Sequence, residues 1–263
     1  MPHLEWRAEI HGLRLLDDSL GDFRMGMAGI HTPQASRAIK NLPVVFALDR
    51  AGLVGGDGAT HQGAYDISFL RCIPNLVLMA PADENECRQM LYTATTLPGP
   101  SAVRYPRGQG SGAKIEAAMS VVPVGKAELR REGRSGLAIL VFGTLLAKAA
   151  PVAEQLDATL VNMRYIKPLD IDLLRELAQR HTAFITVEEN ATAGGAGSAV
   201  AEALAELGVS LPIHHIGIPD RFIEHGSRDD CLAAAGLHAA GVAEQIERFW
   251  STHASGLRRS AAN

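Results

Sequence analysis

Four polar side chains stand among five glycines between Arg50 and Gly63: Arg50 itself, Asp57, Thr60 and His61, with glycines at positions 52, 55, 56, 58 and 63. A guanidinium can fork onto a carboxylate or a phosphate through two parallel charge-assisted hydrogen bonds. An imidazole four residues from a carboxylate can exchange a proton, with the carboxylate setting its tautomer. Glycine tolerates positive φ and lets backbone approach a ligand closely, so such a loop can wrap a small polar molecule. A second guanidinium, Arg107, sits in Tyr105-Pro106-Arg107-Gly108. Each feature also has a plainer reading. The glycines can make an ordinary turn, Arg50 and Arg107 can pair with rim carboxylates such as Asp49 or Asp57, and His61 can be a solvated or structural hydrogen-bonder.

The surrounding pattern sets these residues at strand ends. Pro43-Val44-Val45-Phe46-Ala47-Leu48 is an apolar run that reads as a buried strand of a parallel sheet, and the glycine loop follows it. Ligands of open α/β sheets bind at the carboxyl ends of strands. Asp66–Leu70 reads as a short helix and Asn75–Ala80 as a second strand. Asp83, with Glu86 three residues on, reads as a capping box opening a helix to about Thr95. Ser101–Tyr105 is a third strand, which places Arg107 just past its end.

Gln109–Lys126 is rich in Gly, Ala and Ser, without helical period, and reads as a linker. The alternation then resumes. Strands are expected at 137–142, 159–163, 184–188 and 213–218, and helices at 145–156, 171–180, 197–207 and 241–249. This predicts an α/β protein of two domains, each a mostly parallel sheet with helices on both faces. The expected divisions are a divergent segment 1–38, a first domain 39–112, a linker 113–126, a second domain 127–250 and a frayed polar tail 251–263. In the first segment, apolar positions over Leu13–Leu20 carry helical spacing.

The 263 residues, 47% hydrophobic with a net charge of −4, describe a globular chain. Basic residues are scattered and no apolar run approaches a membrane span, so neither a nucleic-acid nor a membrane partner is expected. The start of the chain lacks a signal peptide's pattern. Cys72, Cys87 and Cys231 have no zinc spacing and suit a reducing cytoplasm. The scattered histidines show no metal-ligand spacing.

Arg50–Gly63 with Ala64–Pro74, Asp83–Tyr92, Gly99–Gly108, Val161–Asp170 and Glu188–Ala191 with Gly194–Gly197 resembles the 1-deoxy-D-xylulose-5-phosphate synthases, thiamine-diphosphate enzymes of the transketolase type. The resemblance covers roughly residues 39–250. It implies part of a pyrimidine-binding domain followed by a transketolase C-terminal domain whose general role is dimer contact. It also implies a transferase reaction, the condensation of pyruvate with D-glyceraldehyde 3-phosphate with release of CO₂, leading to isoprenoids, thiamine and pyridoxal. By this resemblance Arg50 and Arg107 clamp the acceptor's phosphate. His61 hydrogen-bonds or transfers a proton to the aldehyde or enamine, and Asp57 orients His61 or binds a hydroxyl. Glu188-Glu189-Asn190 with Gly194-Gly195 resembles a structural corner of the C-terminal domain.

Thiamine diphosphate and Mg²⁺ are implied as cofactors, yet the motifs that hold them are expected elsewhere. Gly56-Asp57-Gly58 mimics the diphosphate segment but lies in the acceptor loop, and no metal ligand is assigned in this chain. The family's catalytic glutamate would fall at or before Met1, and its aromatic segment near Gly21-Asp22-Phe23-Arg24, where it is not found. The chain alone is therefore expected to be inactive. It would work as a homodimer or paired with a separate N-terminal half. The alternatives are a noncatalytic relic, a dimerisation module, or the β-type subunit of a 2-oxoacid dehydrogenase.

Overall fold

The computed structural model describes residues 7–10, 13–16, 40–56 and 58–260, with backbone alone for 7–10, 13–16 and 256–260. Two sheets carry the fold. The first has strands β1 (Arg7–Ile10), β2 (Leu13–Leu16), β3 (Val45–Leu48), β4 (Val77–Met79), β5 (Ser101–Arg104) and β9 (Tyr165–Lys167), in the order β1-β2-β3-β5-β4-β9. The second has β6 (Glu128–Arg131), β7 (Leu137–Phe142), β8 (Thr159–Asn162), β10 (Ala183–Ala191) and β11 (Ile213–Ile218), in the order β11-β10-β7-β8-β6. Both are parallel in their centres, and among the described residues the antiparallel strand pairs are β1–β2, β4–β9 and β6–β8.

Strand side chains alternate between two faces, and both faces are covered. Val45, Met79, Val103 and Tyr165 pack with Met90 and Ala94 of α2 (Glu84–Thr96). On the opposite face Phe46, Leu48, Leu78 and Ala102 meet Ile67 and Leu70 of α1 (Asp66–Leu70). That core continues into the second sheet through Ala138, Leu140, Phe142 and Phe184. It is closed there by α4 (Ile171–Arg180) and α5 (Ala196–Glu206). The other face of β7, Leu137, Ile139 and Val141, packs under α3 (Leu146–Gln155), α6 (Arg228–Ala234) and α7 (Ala239–Ser260). All six residues of β7 are buried, which is why it reads as an unbroken apolar run.

Three expectations change. Leu13–Leu16 is a strand and not the start of a helix, because a short apolar run fits either period and pairing with β1 and β3 decides it. The last helix continues to Ser260, past the Phe249 end that the apolar pattern suggests and into the tail expected to fray. The capping box at α2 is half formed. Asp83 accepts from the Glu86 N–H at 2.8 Å. The Glu86 carboxylate turns away to the N–H of Ala82 (2.7 Å), the Asn162 amide (2.9 Å) and Arg164 Nε (2.6 Å). That spends a predicted cap on tying the first sheet's helix to the second sheet.

Residues 109–126 form no helix or strand, and residues 111–122 are hydrogen-bonded along α2. The Glu84 carboxylate accepts from the backbone N–H groups of Ser111, Gly112 and Ala113 and from the Ser111 hydroxyl. Its own backbone N–H and the Ser111 hydroxyl hold its pKa down to about 2. No helix among the described residues is long and apolar enough to cross a membrane.

Each sheet also carries buried charge. Arg104, on β5, donates Nε to Asp66 Oδ2 at 2.8 Å, with the two side chains 4% and 1% exposed. Glu188 is fully buried at the N-terminus of α5, accepting the N–H groups of Ala196 (2.7 Å) and Gly197 (2.8 Å). Burial pushes its pKa up to about 7 against the pull of those two donors.

Removing one partner of a buried pair leaves an uncompensated charge, so Asp66→Ala is expected to cost about 3–5 kcal/mol in urea unfolding, with part recovered when Arg104→Met is added. Glu188 binds its proton more tightly folded than unfolded, so its contribution falls as pH rises from 4.5 to about 7 and is level above. Burial lowers the pKa values of His181, His214 and His215, which act with the opposite sign below 6.5, so the wild type minus Glu188→Gln difference is the quantity to follow. That difference should drift against the wild type with rising pH; a flat difference from pH 4.5 to 8 would contradict it.

Candidate functional site

The glycine loop leaves β3 at a rim shared with β5. These strands pair in parallel with Leu48 opposite Arg104. The pairing runs one step further, as Tyr105 N–H donates to Leu48 O and Ala51 N–H to Tyr105 O, both at 3.0 Å. Arg50 turns the chain at φ 58°. Two bonds then close the loop's neck, Gly52 N–H to Gly63 O at 2.8 Å and Gly63 N–H to Arg50 O at 3.0 Å. A β-carbon on Gly63 would fall on the Arg50 carbonyl, so the neck can be this narrow only with glycine there.

Inside the loop, Leu53 and Val54 turn into the core. Ala59–His61 forms one 3-10 turn that lifts His61 to the surface. Its Nδ1 lies 2.8 Å from the Thr60 hydroxyl. The Thr60 hydroxyl is therefore the group beside the imidazole. Asp57, expected to orient His61, lies outside the described residues.

Arg50 and Arg107 leave neighbouring strands on the same rim. Arg50 Nη1 donates to Asp49 Oδ2 at 2.7 Å, the rim pairing that the sequence allowed, with both side chains about a quarter to a third exposed. A pair so open to solvent is worth roughly 0–1 kcal/mol. Arg107 is exposed.

What sequence reasoning missed lies beneath the loop. Glu189, on β10, is 4% exposed and accepts the Leu53 N–H at 2.9 Å. Arg228, the first residue of α6, donates Nη2 to both of its oxygens at 2.8 and 2.7 Å. Burial raises the Glu189 pKa while Arg228 and the Leu53 N–H oppose the rise. Arg104 adds Nη2 to Glu189 O at 3.0 Å. Glu188 and Asn190 do act as a structural corner, Asn190 accepting the Ile67 N–H at 3.1 Å. Glu189 instead reaches across to the site loop. The available signal was two adjacent acids ending an apolar strand, which demand partners from elsewhere.

Among the described residues no three His, Cys, Asp or Glu side chains converge to hold a metal ion. Asp66, Glu86, Glu188 and Glu189 are committed to arginines, amides or backbone N–H groups. These residues do not fit a diphosphate–Mg²⁺ anchor. A cleft of about 410 Å³ lies elsewhere, lined by Asp83, Ser111, Arg130, Arg131, Leu146 and Glu154 among others, and shares no residue with the loop.

The family model for the transketolase pyrimidine binding domain matches residues 12–111, and that for the transketolase C-terminal domain matches residues 125–242. The 1-deoxy-D-xylulose-5-phosphate synthase of Nitrosococcus oceani is 58% identical over 212 residues, 81% of this chain and 33% of that protein. The Paraburkholderia phymatum synthase is 56% identical over 223 residues, 83% and 35% of the two. The chain thus spans about a third of the length of the curated relatives it matches. Among solved structures, a split gene transketolase described as an inactive beta4 tetramer superposes with a TM-score of 0.70 at 30% identity, covering 81% of this chain and 68% of that one. The transketolase of Leishmania mexicana shares the fold, with a TM-score of 0.65 at 19% identity over 83% of this chain and 32% of its own. By sequence and fold, the chain belongs to the 1-deoxy-D-xylulose-5-phosphate synthase family of transketolase-type proteins, matching its C-terminal portion.

Proposed function

We propose that these residues form the acceptor side of a synthase that condenses pyruvate with D-glyceraldehyde 3-phosphate. The observation that carries this reading is the exit of Arg50 and Arg107 from paired strands onto one rim, beside a glycine loop that presents His61. Two guanidiniums hold the acceptor's phosphate dianion and fix the aldehyde's position. His61 reaches the aldehyde oxygen and delivers a proton to it as the new carbon–carbon bond forms at the carbonyl carbon. Asp57 orients His61 or takes a hydroxyl of the acceptor.

Thiamine diphosphate and Mg²⁺ belong to the reaction of this family and would be held by residues other than those described. We assign residues 39–112, together with the strands β1 and β2 that pair onto β3, to the pyrimidine-binding unit and residues 127–250 to the C-terminal unit, with 113–126 between them. The chain acts as a homodimer or beside a separate N-terminal half. The likeness to a split gene transketolase favours the second arrangement. Free thiols at Cys72, Cys87 and Cys231 agree with a cytoplasmic setting.

The test is release of labelled CO₂ from pyruvate with glyceraldehyde 3-phosphate, thiamine diphosphate and Mg²⁺. These 263 residues alone should be silent, and adding the N-terminal portion of a full-length synthase should restore turnover. In that mixture Arg107→Ala should raise KM for glyceraldehyde 3-phosphate about 10- to 100-fold, the loss of roughly 1.5–3 kcal/mol of charge-assisted bonding. His61→Ala should lower kcat by on the order of 10²-fold or more. Turnover by the chain alone, or an unchanged KM in Arg107→Ala, would refute the reading.

A further inference from the structure

Four points on the C-terminal half grip the glycine loop, and all come from two short stretches of it. Leu53 N–H donates to Glu189 Oε1 at 2.9 Å. A β-carbon on Gly52, at φ 76°, would fall on that same carboxylate. A β-carbon on Gly55, at φ 77°, would stand 2.6 Å from the Arg228 N and 2.7 Å from the Gly226 O. On the return side of the loop, Gln62 Nε2 reaches the Ile223 O at 3.4 Å. Glycine is therefore needed at 52 and 55 both for its positive φ and because the loop lies flat against Glu189 and the start of α6.

Arg228 is set for this contact by its own element. Ser227 and Asp230 form a complete capping box, Ser227 Oγ accepting the Asp230 N–H at 3.1 Å and Asp230 Oδ2 accepting the Ser227 N–H at 3.2 Å. That fixes the first turn of α6 and aims the guanidinium at Glu189. Both Glu189 oxygens take the same Nη2, so the carboxylate is held in one orientation with Oε1 left facing the Leu53 N–H. Without Arg228 the carboxylate would be buried, charged and unpaired, and would give up that orientation or its charge.

We propose that Glu189 and Arg228 are positioning residues for the acceptor loop: Arg228 orients the Glu189 carboxylate, and the carboxylate fixes the Leu53 backbone from which the stretch bearing His61 is hung. This rests on the acceptor-site reading for its meaning in the reaction, but the mechanical link stands on the geometry alone. It makes the C-terminal unit a direct determinant of how the acceptor is held.

Two measurements on the full 263-residue chain separate the link from the site. The first is amide hydrogen exchange at Leu53, compared among wild type, Arg228→Lys, Arg228→Met and a core control, Ile246→Val, at urea concentrations that equalise global stability. Arg228→Met is expected to speed Leu53 exchange at least tenfold over the control, and Arg228→Lys to fall between, since lysine keeps the charge but its flexible ammonium lacks the planar group that holds Nη2 in place. Equal protection of Leu53 in all four proteins would overturn the proposal. The second is the affinity for glycerol 3-phosphate, a nonreacting phosphate probe. Arg228→Met is expected to weaken it several-fold, Ile246→Val not at all, and Arg107→Ala most. Faster Leu53 exchange with no phosphate binding in any variant, the wild type included, would support the link and count against the acceptor reading. Faster exchange with binding lost only in Arg107→Ala would overturn the positioning role while leaving the site.

Discussion

Charges of alternating sign, Asp66, Arg104, Glu189 and Arg228, run from beneath one sheet to the first turn of α6, and only the outermost has substantial contact with water. Isolated, any of them would be costly to bury, so each is tolerable only with its neighbours in place. Arg104 touches the carboxylate of Asp66, the carbonyl of Gly63 and the carbonyl of Glu189. One guanidinium thereby fixes the start of α1, the neck of the glycine loop and the end of β10. The loop's shape is a consequence of this chain of charges more than of its own glycines, which supply permission to bend and no force that selects one bend.

Much of the fold was written in apolar periodicity. β7 at Leu137–Phe142, α4 at Ile171–Arg180, α1 at Asp66–Leu70 and β11 at Ile213–Ile218 fall where the pattern places them, because each carries its own local apolar signal, an unbroken buried run in β7 and a single buried face in α4. The elements that escaped notice are those whose partners lie far off in sequence. β6 carries Glu128, Arg130 and Arg131 on an edge, and β9 is three residues long. Neither has a period to read, and both exist because a neighbouring strand offers hydrogen bonds.

The site divides in the same way. Arg50, Arg107 and His61 announce themselves through their wording and their place after strands. That Arg50 and Arg107 leave one rim follows from the parallel pairing of β3 with β5, which the order of strands along the chain does not reveal. Glu189 and Arg228 were not legible. One stood in a run that resembles a structural corner, the other at the start of a seven-residue helix without a strong pattern. Glu86 shows how a correct local signal can mislead, since its spacing from Asp83 suits a cap while its carboxylate is claimed by Asn162 and Arg164 on the other sheet.

The three residues of β9 give the linker an unexpected character. Tyr165–Lys167 lies beyond residues 109–126 in sequence, yet it forms the outer edge of the first sheet against β4. The Tyr165 hydroxyl also donates back to the Val122 carbonyl at 2.9 Å. Severing the chain at its glycine-rich stretch would not release two finished bodies. It would leave the first with β4 bare along a row of unanswered backbone groups, and the second with a buried tyrosine turned out to water. The seam between the halves therefore runs between the last two strands of the first sheet and not through the glycine-rich stretch.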